Sequence, residues 1–304
     1  MTRAALYDGL GGPDVLYVGT VADVEPGPGE VAVRVRAAGL NPIDAKLRTG
    51  FVRSDAPFPR RVGSDLAGTV EAVGDGAVYW DGTPVAVGDE VFGRGQGAVA
   101  ERAIASADAL AKRVDAVPAE VAGGLWIAGL TAVSCLATVP VGEGDTVLVG
   151  GASGAVGLIA AQLAAEAGAR VIGTASARNH GFLRSIGVEP VAYGEGLAAR
   201  VRELGTVTAV MDCHGREALD AGIELGVPVD RMVAIAAYAA IDELGVLNVE
   251  RAARTPANLE RLGDRIARGS LVLPVVNTYP LDEVGAAFTD LESAHAPGKI
   301  VITP

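Results

Sequence analysis

Residues Thr146–Gly157 read TVLVGGASGAVG. The run Thr146-Val147-Leu148-Val149 predicts a short buried strand, and the alanine-rich segment from Ala155 to about Ala167 predicts a helix. The glycine turn between them places an anion over the free N–H groups of a helix N-terminus. Its glycines, Gly151, Gly154 and Gly157, follow a GxxGxxG spacing rather than the commoner GxGxxG. The first two let the backbone turn tightly and approach a pyrophosphate; the third lets the helix pack against the strand. Gly151, Ala152, Ser153, Gly154, Ala155 and Val156 are therefore expected to line the pyrophosphate of a dinucleotide. The competing reading is a tight turn of an α/β protein without a ligand.

Downstream the same rhythm repeats. Strands are expected at Arg170–Thr174, Val188–Tyr193, Val207–Met211 and Arg231–Ile235, with a helix over Asn179–Ile186. Alternating strands and helices imply a doubly wound parallel sheet. Thr255-Pro256 supplies an N-cap and a first-turn proline for a further helix, with Leu259, Leu262 and Ile266 on one face. Upstream, residues 1–118 have a β texture. EVAVRVR at Glu30–Arg36 alternates apolar and charged, and Ser64–Val73 and Asp89–Phe92 are short strands punctuated by Gly-Asp turns. Such strands suggest a barrel-like domain. Pro118–Leu136 reads as an apolar helix, and Leu271–Pro304 returns to strand texture. The expected organisation is a β-rich domain of residues 1–119, rejoined by 271–304, with a dinucleotide domain of residues 120–270 inserted.

The stretch after the second strand selects the dinucleotide. NAD sites usually carry Asp or Glu there, about 20 residues beyond the glycines, for the ribose 2′-OH. This chain has Gly173-Thr174-Ala175-Ser176-Ala177-Arg178-Asn179-His180. Hydroxyls and a guanidinium without a carboxylate suit the 2′-phosphate of NADP, so Thr174, Ser176 and Arg178 are assigned to the cofactor.

The 304 residues carry 37 acidic and 25 basic side chains, a net charge of −12, with no Lys/Arg-rich run. That argues against nucleic acid or an anionic membrane as partner. Two distant cysteines, Cys135 and Cys213, make no disulfide framework. No signal-peptide core or bilayer-length apolar run is evident, so a cytoplasmic protein is expected.

In order along the chain, Asn41–Gly50 (NPIDAKLRTG), Gly63–Gly68 (GSDLAG), Val87–Phe92 (VGDEVF), Ala128–Ala132 (AGLTA), the glycine turn and Gly298–Val301 (GKIV) resemble the zinc-free quinone oxidoreductases and enone reductases of the medium-chain dehydrogenase/reductase superfamily. The resemblance covers nearly the whole chain. It implies a GroES-like β-rich catalytic domain split by a Rossmann domain, NADPH as cofactor and a homodimer. Zinc-dependent relatives carry a Cys near the Asn41 position, a Gly-His-Glu where this chain has Gly63-Ser64-Asp65, and a four-cysteine lobe. Here both cysteines lie elsewhere and His180, His214 and His295 are scattered, so no metal is expected.

The resemblance puts Asn41 and Thr131 beside the nicotinamide and Tyr193 near the adenosine phosphate. One family subgroup has tyrosines near positions 46 and 52; this chain has Lys46 and Val52. Lys46 is a candidate to hold a substrate carbonyl oxygen or supply a proton, with Asp44 pairing with it or with Arg48. Cys213 and Ala236 follow the fourth and fifth strands of the inserted domain, where ligands bind in such sheets. Lys299 is assigned to a cofactor phosphate, and Phe51 and Trp126 are candidate pocket aromatics. The function expected is NADPH-dependent hydride transfer to a small electrophile, a quinone or an α,β-unsaturated carbonyl. The alternatives are an enoyl thioester reductase of a biosynthetic pathway and an NADPH-binding protein without turnover.

Overall fold

The computed structural model describes residues 1–293 and 297–304; His295 lies outside the described residues. The first domain contains β1 (Thr2–Tyr7), β2 (Tyr17–Val21), β3 (Glu30–Gly39), α1 (Pro42–Arg48), β4 (Arg60–Arg61), β5 (Asp65–Val73), β6 (Glu90–Arg94), β7 (Arg102–Ser106) and β8 (Leu110–Lys112). The chain then passes through α2 (Ala119–Ala122) and α3 (Leu125–Thr138). The single helix expected over Pro118–Leu136 is thus two, broken at Gly123-Gly124. A Cβ on Gly123 would stand 2.6 Å from the Ala37 carbonyl oxygen and one on Gly124 3.0 Å from the Lys299 side chain. The break lets the chain pass tightly over β3.

The alternating units follow: β9 (Thr146–Gly150), α4 (Ala155–Glu166), β10 (Arg170–Thr174), α5 (His180–Ser185), β11 (Glu189–Val191), α6 (Leu197–Leu204), β12 (Ala209–Asp212), α7 (Glu217–Glu224), β13 (Met232–Ala234), α8 (Tyr238–Leu244), β14 (Leu247–Asn248) and α9 (Pro256–Ala267). Their strands form one parallel sheet in the order β11-β10-β9-β12-β13-β14. The order reverses at β9, the switch point that opens a ligand crevice beyond the strand ends. The glycine turn follows β9. Helix α4 is buried from Gly157 to Ala164, as a helix apolar nearly all round must be.

The tail corrects one expectation. It supplies β15 (Val275–Pro280) and β16 (Lys299–Thr303), but also α10 (Val284–Ser293) between them. Leu281, Val284, Ala287 and Phe288 are buried at helical spacing, a period of 3.6 inside a stretch of strand-like composition. Strand β16 pairs antiparallel with β3 and parallel with β15, so the tail completes the first domain's seven-stranded sheet.

The two domains share a core. Ala67, Phe92 and Ala111 of the first pack in one apolar cluster with α3, α4 and α9. Each fully buried large side chain, such as Leu125, Leu130 or Phe92, contributes on the order of 2 kcal/mol. The cleft between the domains therefore has firm walls, and the two faces that meet there carry the candidate site.

Candidate active site

Gly151 adopts φ +67°, which glycine alone takes without strain. A Cβ there would stand 2.6 Å from His214 Cβ, and one on Gly157 would stand 2.4 Å from the Gly151 carbonyl oxygen. Gly154 is exposed and its added Cβ would meet only Gly151 O at 3.4 Å, leaving open approach from the cleft. Among the described residues, no backbone acceptor receives the N–H groups of Ser153, Ala155 and Val156. They are the donors available to a phosphate at the start of this twelve-residue helix.

Two neighbours expected to touch the cofactor serve the turn instead. The buried Thr174 hydroxyl accepts the Gly151 N–H at 2.9 Å, and the Thr174 carbonyl accepts the Ala152 N–H at 3.0 Å. Ala152 is fully buried. Thr174 and Ala152 shape the cradle from below because β10 lies directly beside β9.

The parallel register pairs Thr174 with Val191, which carries Ser176 and Tyr193 past the strand ends side by side. Ser176 Oγ is buried without a hydrogen-bond partner. Arg178 is exposed and meets no carboxylate within ion-pair distance, and Tyr193 is 55% exposed. His180 turns its Nε2 to the Ala175 carbonyl at 3.1 Å, onto the backbone rather than toward a ligand. A buried hydroxyl lacking a partner, beside a free guanidinium, fits an anionic group on the adenosine ribose.

Across the crevice, Asp212 ends β12 fully buried. Its Oδ1 accepts the N–H groups of His214 at 3.1 Å and Gly215 at 2.7 Å, and the Ala236 and Ala237 amides also face the carboxylate. Burial raises its pKa and these four donors oppose the rise. Asp212 was not anticipated; an acidic residue closing an apolar strand was its only sequence signal. It ties the loop after β12 to the loop after β13, and so holds Ala236 by its backbone. Cys213, between them, contacts Cys135 on α3, and that contact with burial pushes its thiol pKa up. A neutral thiol there is wall, not nucleophile.

The first domain contributes a buried polar cluster. Asn41 caps α1, and its backbone N–H donates to Asp44 Oδ2 at 2.9 Å. Its Oδ1 accepts from Lys299 Nζ at 2.8 Å, and its Nδ2 donates to Gly39 O at 3.3 Å. The Lys299 ammonium also donates to Leu40 O at 2.7 Å and lies 3.8 Å from Asp65 Oδ2. The Ile127 N–H, at the start of α3, donates to both Asp65 oxygens at 3.2 and 3.3 Å. Burial, reinforced by Asp65, raises Asp44 to about 7. Burial raises Asp65 to about 6 and lowers Lys299.

This corrects two assignments. Lys299 is 3% exposed and is held by Asn41 and Leu40, not directed to a phosphate. What does reach the glycine turn is its neighbour, for the Gly298 N–H donates to Ser153 O at 3.2 Å. Asp44 pairs with neither Lys46 nor Arg48; it is turned inward to cap Asn41. Arg48 is itself buried, donating to Gly11 O at 2.6 Å and to Glu292. In the sequence Asp65 is only the residue after the missing zinc-ligand position; no local pattern marks it as the ammonium's partner.

Lys46 is half-buried and its Nζ lies 5.7 Å from the Phe51 ring centroid and 5.0 Å from that of Tyr238. Phe51 belongs to the first domain and Tyr238 opens α8 of the second, so the lysine bridges the cleft. Thr131 is buried on α3 and Trp126 packs partly buried beside the apolar cluster of α3 and α4.

Comparison with known proteins bears on both domains. Residues 27–126 match the family model of the alcohol dehydrogenase GroES-like domain, and residues 186–302 match that of zinc-binding dehydrogenases. The chain is 31% identical to a quinone oxidoreductase of Pseudomonas aeruginosa, with all of both chains covered. A mycobacterial protein solved in complex with NADPH is 33% identical, with a TM-score of 0.87 and both chains fully covered. A pikromycin polyketide synthase component of Streptomyces venezuelae is 31% identical over 93% of this chain but only 8% of its own length.

Proposed function

The chain belongs to the quinone oxidoreductase family of the medium-chain dehydrogenases/reductases, and from that membership we propose that it is an NADPH-dependent, zinc-independent reductase of quinones or α,β-unsaturated carbonyls. The observation that carries the cofactor choice is the partnerless buried Ser176 hydroxyl beside the free Arg178, where an NAD enzyme would place a carboxylate. The turn around Gly151 and Gly154 and the N–H groups of Ser153, Ala155 and Val156 would hold the pyrophosphate. Tyr193 would border the adenosine, and Cys213, Ala236, Asn41 and Thr131 the nicotinamide. The bound cofactor supplies a hydride.

The zinc that the second family model implies does not fit. The Asn41 position offers an amide oxygen already occupied by an ammonium, and Ser64-Asp65 replaces the imidazole and its neighbour. Catalytic zinc takes three His, Cys or carboxylate ligands, and among the described residues no three such side chains are grouped to hold a metal ion. An amide at the Asn41 position and a hydroxyl at Ser64, in place of metal ligands that would polarise an alcohol, suit an acceptor that is already electrophilic.

Lys46 reaches into the cleft, and among the described residues no carboxylate pairs with it. It is placed to hold the acceptor's carbonyl oxygen as negative charge develops there, and to deliver the proton that completes reduction. Product formation then takes up one hydride and one proton. The buried Asn41–Lys299–Asp65 cluster fixes the floor on which these groups stand. We extend the proposal to a homodimer in the cytoplasm, and among the described residues no helix is long and apolar enough to cross a membrane.

The test is NADPH oxidation against quinones, enones and crotonyl thioesters, repeated with NADH and with Arg178→Ala. NADPH is expected to be preferred, and Arg178→Ala to raise its KM roughly tenfold, the worth of one charge-assisted contact, with little change for NADH. Equal use of both cofactors by the native enzyme would defeat the 2′-phosphate assignment. Activity on the thioester alone would favour the second reading, an enoyl reductase, which the match to the polyketide synthase component supports.

A further inference from the structure

Arg254 is a partly buried cation that the site above does not use. It follows a 3-10 turn, Arg251–Ala253, that packs on α3, and it precedes Thr255, the N-cap of α9. The turn is fastened at both ends. The Glu250 N–H donates to Thr138 Oγ1 at 2.7 Å at the end of α3, and the Arg254 N–H donates to Arg251 O at 3.0 Å. The guanidinium is half-buried and its Nε is shielded from solvent without an acceptor. Among the described residues no carboxylate stands within ion-pair distance of it, although the chain carries 37 acidic side chains. Burial and the neighbouring Arg251 both work against its charge, while Cys135 and Tyr238 favour it.

Tyr238 has Lys46 over its ring from the first domain, and it lies within electrostatic reach of Arg254 from the second. Tyr238 follows β13, across β9 from β10 and the Ser176–Arg178 stretch, and the turn that carries Arg254 packs on α3. A shielded guanidinium with an open donor is stabilised by an anion and by little else.

We propose that the acceptor carries a carboxylate, which Arg254 binds beside Tyr238 while Lys46 holds the reacting carbonyl oxygen. The preferred substrates are then acidic, planar, conjugated ketones or quinones, with Phe51 and Tyr238 against the conjugated body. The proposal rests on the reductase reading and adds a substrate class to it. Because Arg254 is fixed by its turn, little ordering is needed on binding.

The test compares 4-oxo-4-phenylbut-2-enoate with its methyl ester as acceptors for NADPH oxidation. The ester is the better electrophile, so intrinsic reactivity favours it. The native enzyme is expected to prefer the acid in kcat/KM by about tenfold or more, the size of one charge-assisted hydrogen bond, with the preference weakening as salt is added. Arg254→Gln should bring the acid-to-ester ratio down toward one through KM of the acid, and Arg254→Lys should restore part of it. A native enzyme that prefers the ester, or a ratio unchanged in Arg254→Gln, overturns the proposal while the reductase reading stands. If neither compound is turned over, titration calorimetry of both onto the NADP-loaded protein decides. Tighter binding of the acid that depends on Arg254 supports the anion site and sinks the reductase reading; equal binding sinks both.

Discussion

Asp44→Asn gives a sharp test of the buried cluster. The Asp44 carboxyl is 6% exposed and its pKa is raised from 3.8 to about 7, by burial first and by Asp65 second. The native state therefore keeps a proton on Asp44 up to about pH 7, whereas the unfolded chain releases it near pH 4. A group shifted upward contributes stability that is full below its unfolded pKa and is lost as pH rises through its folded pKa. For a folded pKa of 7, the loss between pH 5 and 8 is about 2.6 kcal/mol, from 1.36 kcal/mol per unit of difference. Asparagine keeps the acceptor for the Asn41 N–H but cannot ionise. Urea unfolding of both proteins, followed by the fluorescence of Trp80 and Trp126, should show the variant's stability relative to wild type rising by about this amount from pH 5 to 8. Carboxylates elsewhere titrate in both proteins and cancel. Parallel pH profiles, or a relative stability that falls over this range, would refute the inward-facing, proton-holding Asp44.

Two further perturbations follow. Lys299→Met leaves Asp65 buried without its ammonium, and should cost about 3–5 kcal/mol at pH 8, less at pH 5 where Asp65, raised to about 6, takes up a proton; urea unfolding at the two pH values checks it, and an equal loss at both contradicts the ion-pair account. Gly157→Ala sets a Cβ 2.4 Å from the Gly151 carbonyl oxygen, so α4 must shift off the turn; about 1–3 kcal/mol of stability and most of the NADPH affinity should go together, measured by thermal unfolding and cofactor fluorescence titration.

Much of this protein is local and therefore written in the chain. The β-branched run, the glycines and the alanine-rich helix at Thr146–Ala167 specify strand, turn and helix through neighbours only a few residues apart, and the following strands repeat the pattern. Missing zinc ligands and the Ser176–Arg178 stretch are also properties of short segments. The tail was harder: Leu281, Val284, Ala287 and Phe288 have helical spacing, yet β-forming residues around them gave strand texture, and burial against the first domain decided for a helix. What the sequence could not order was long-range pairing of charges. Lys299 meets Asn41 and Asp65, more than 230 residues away, because β16 closes onto β3 and carries the ammonium over the cap of α1. Asp44, Lys46 and Arg48 sit within one turn and a half of helix, and only the packing of α1 sends the first inward to cap Asn41, the second across the cleft to Tyr238 and the third into the core. Periodicity and turn chemistry act between neighbours and so determined the fold from sequence; which buried charge faces which depends on how the two domains close, and that the tertiary structure alone decided.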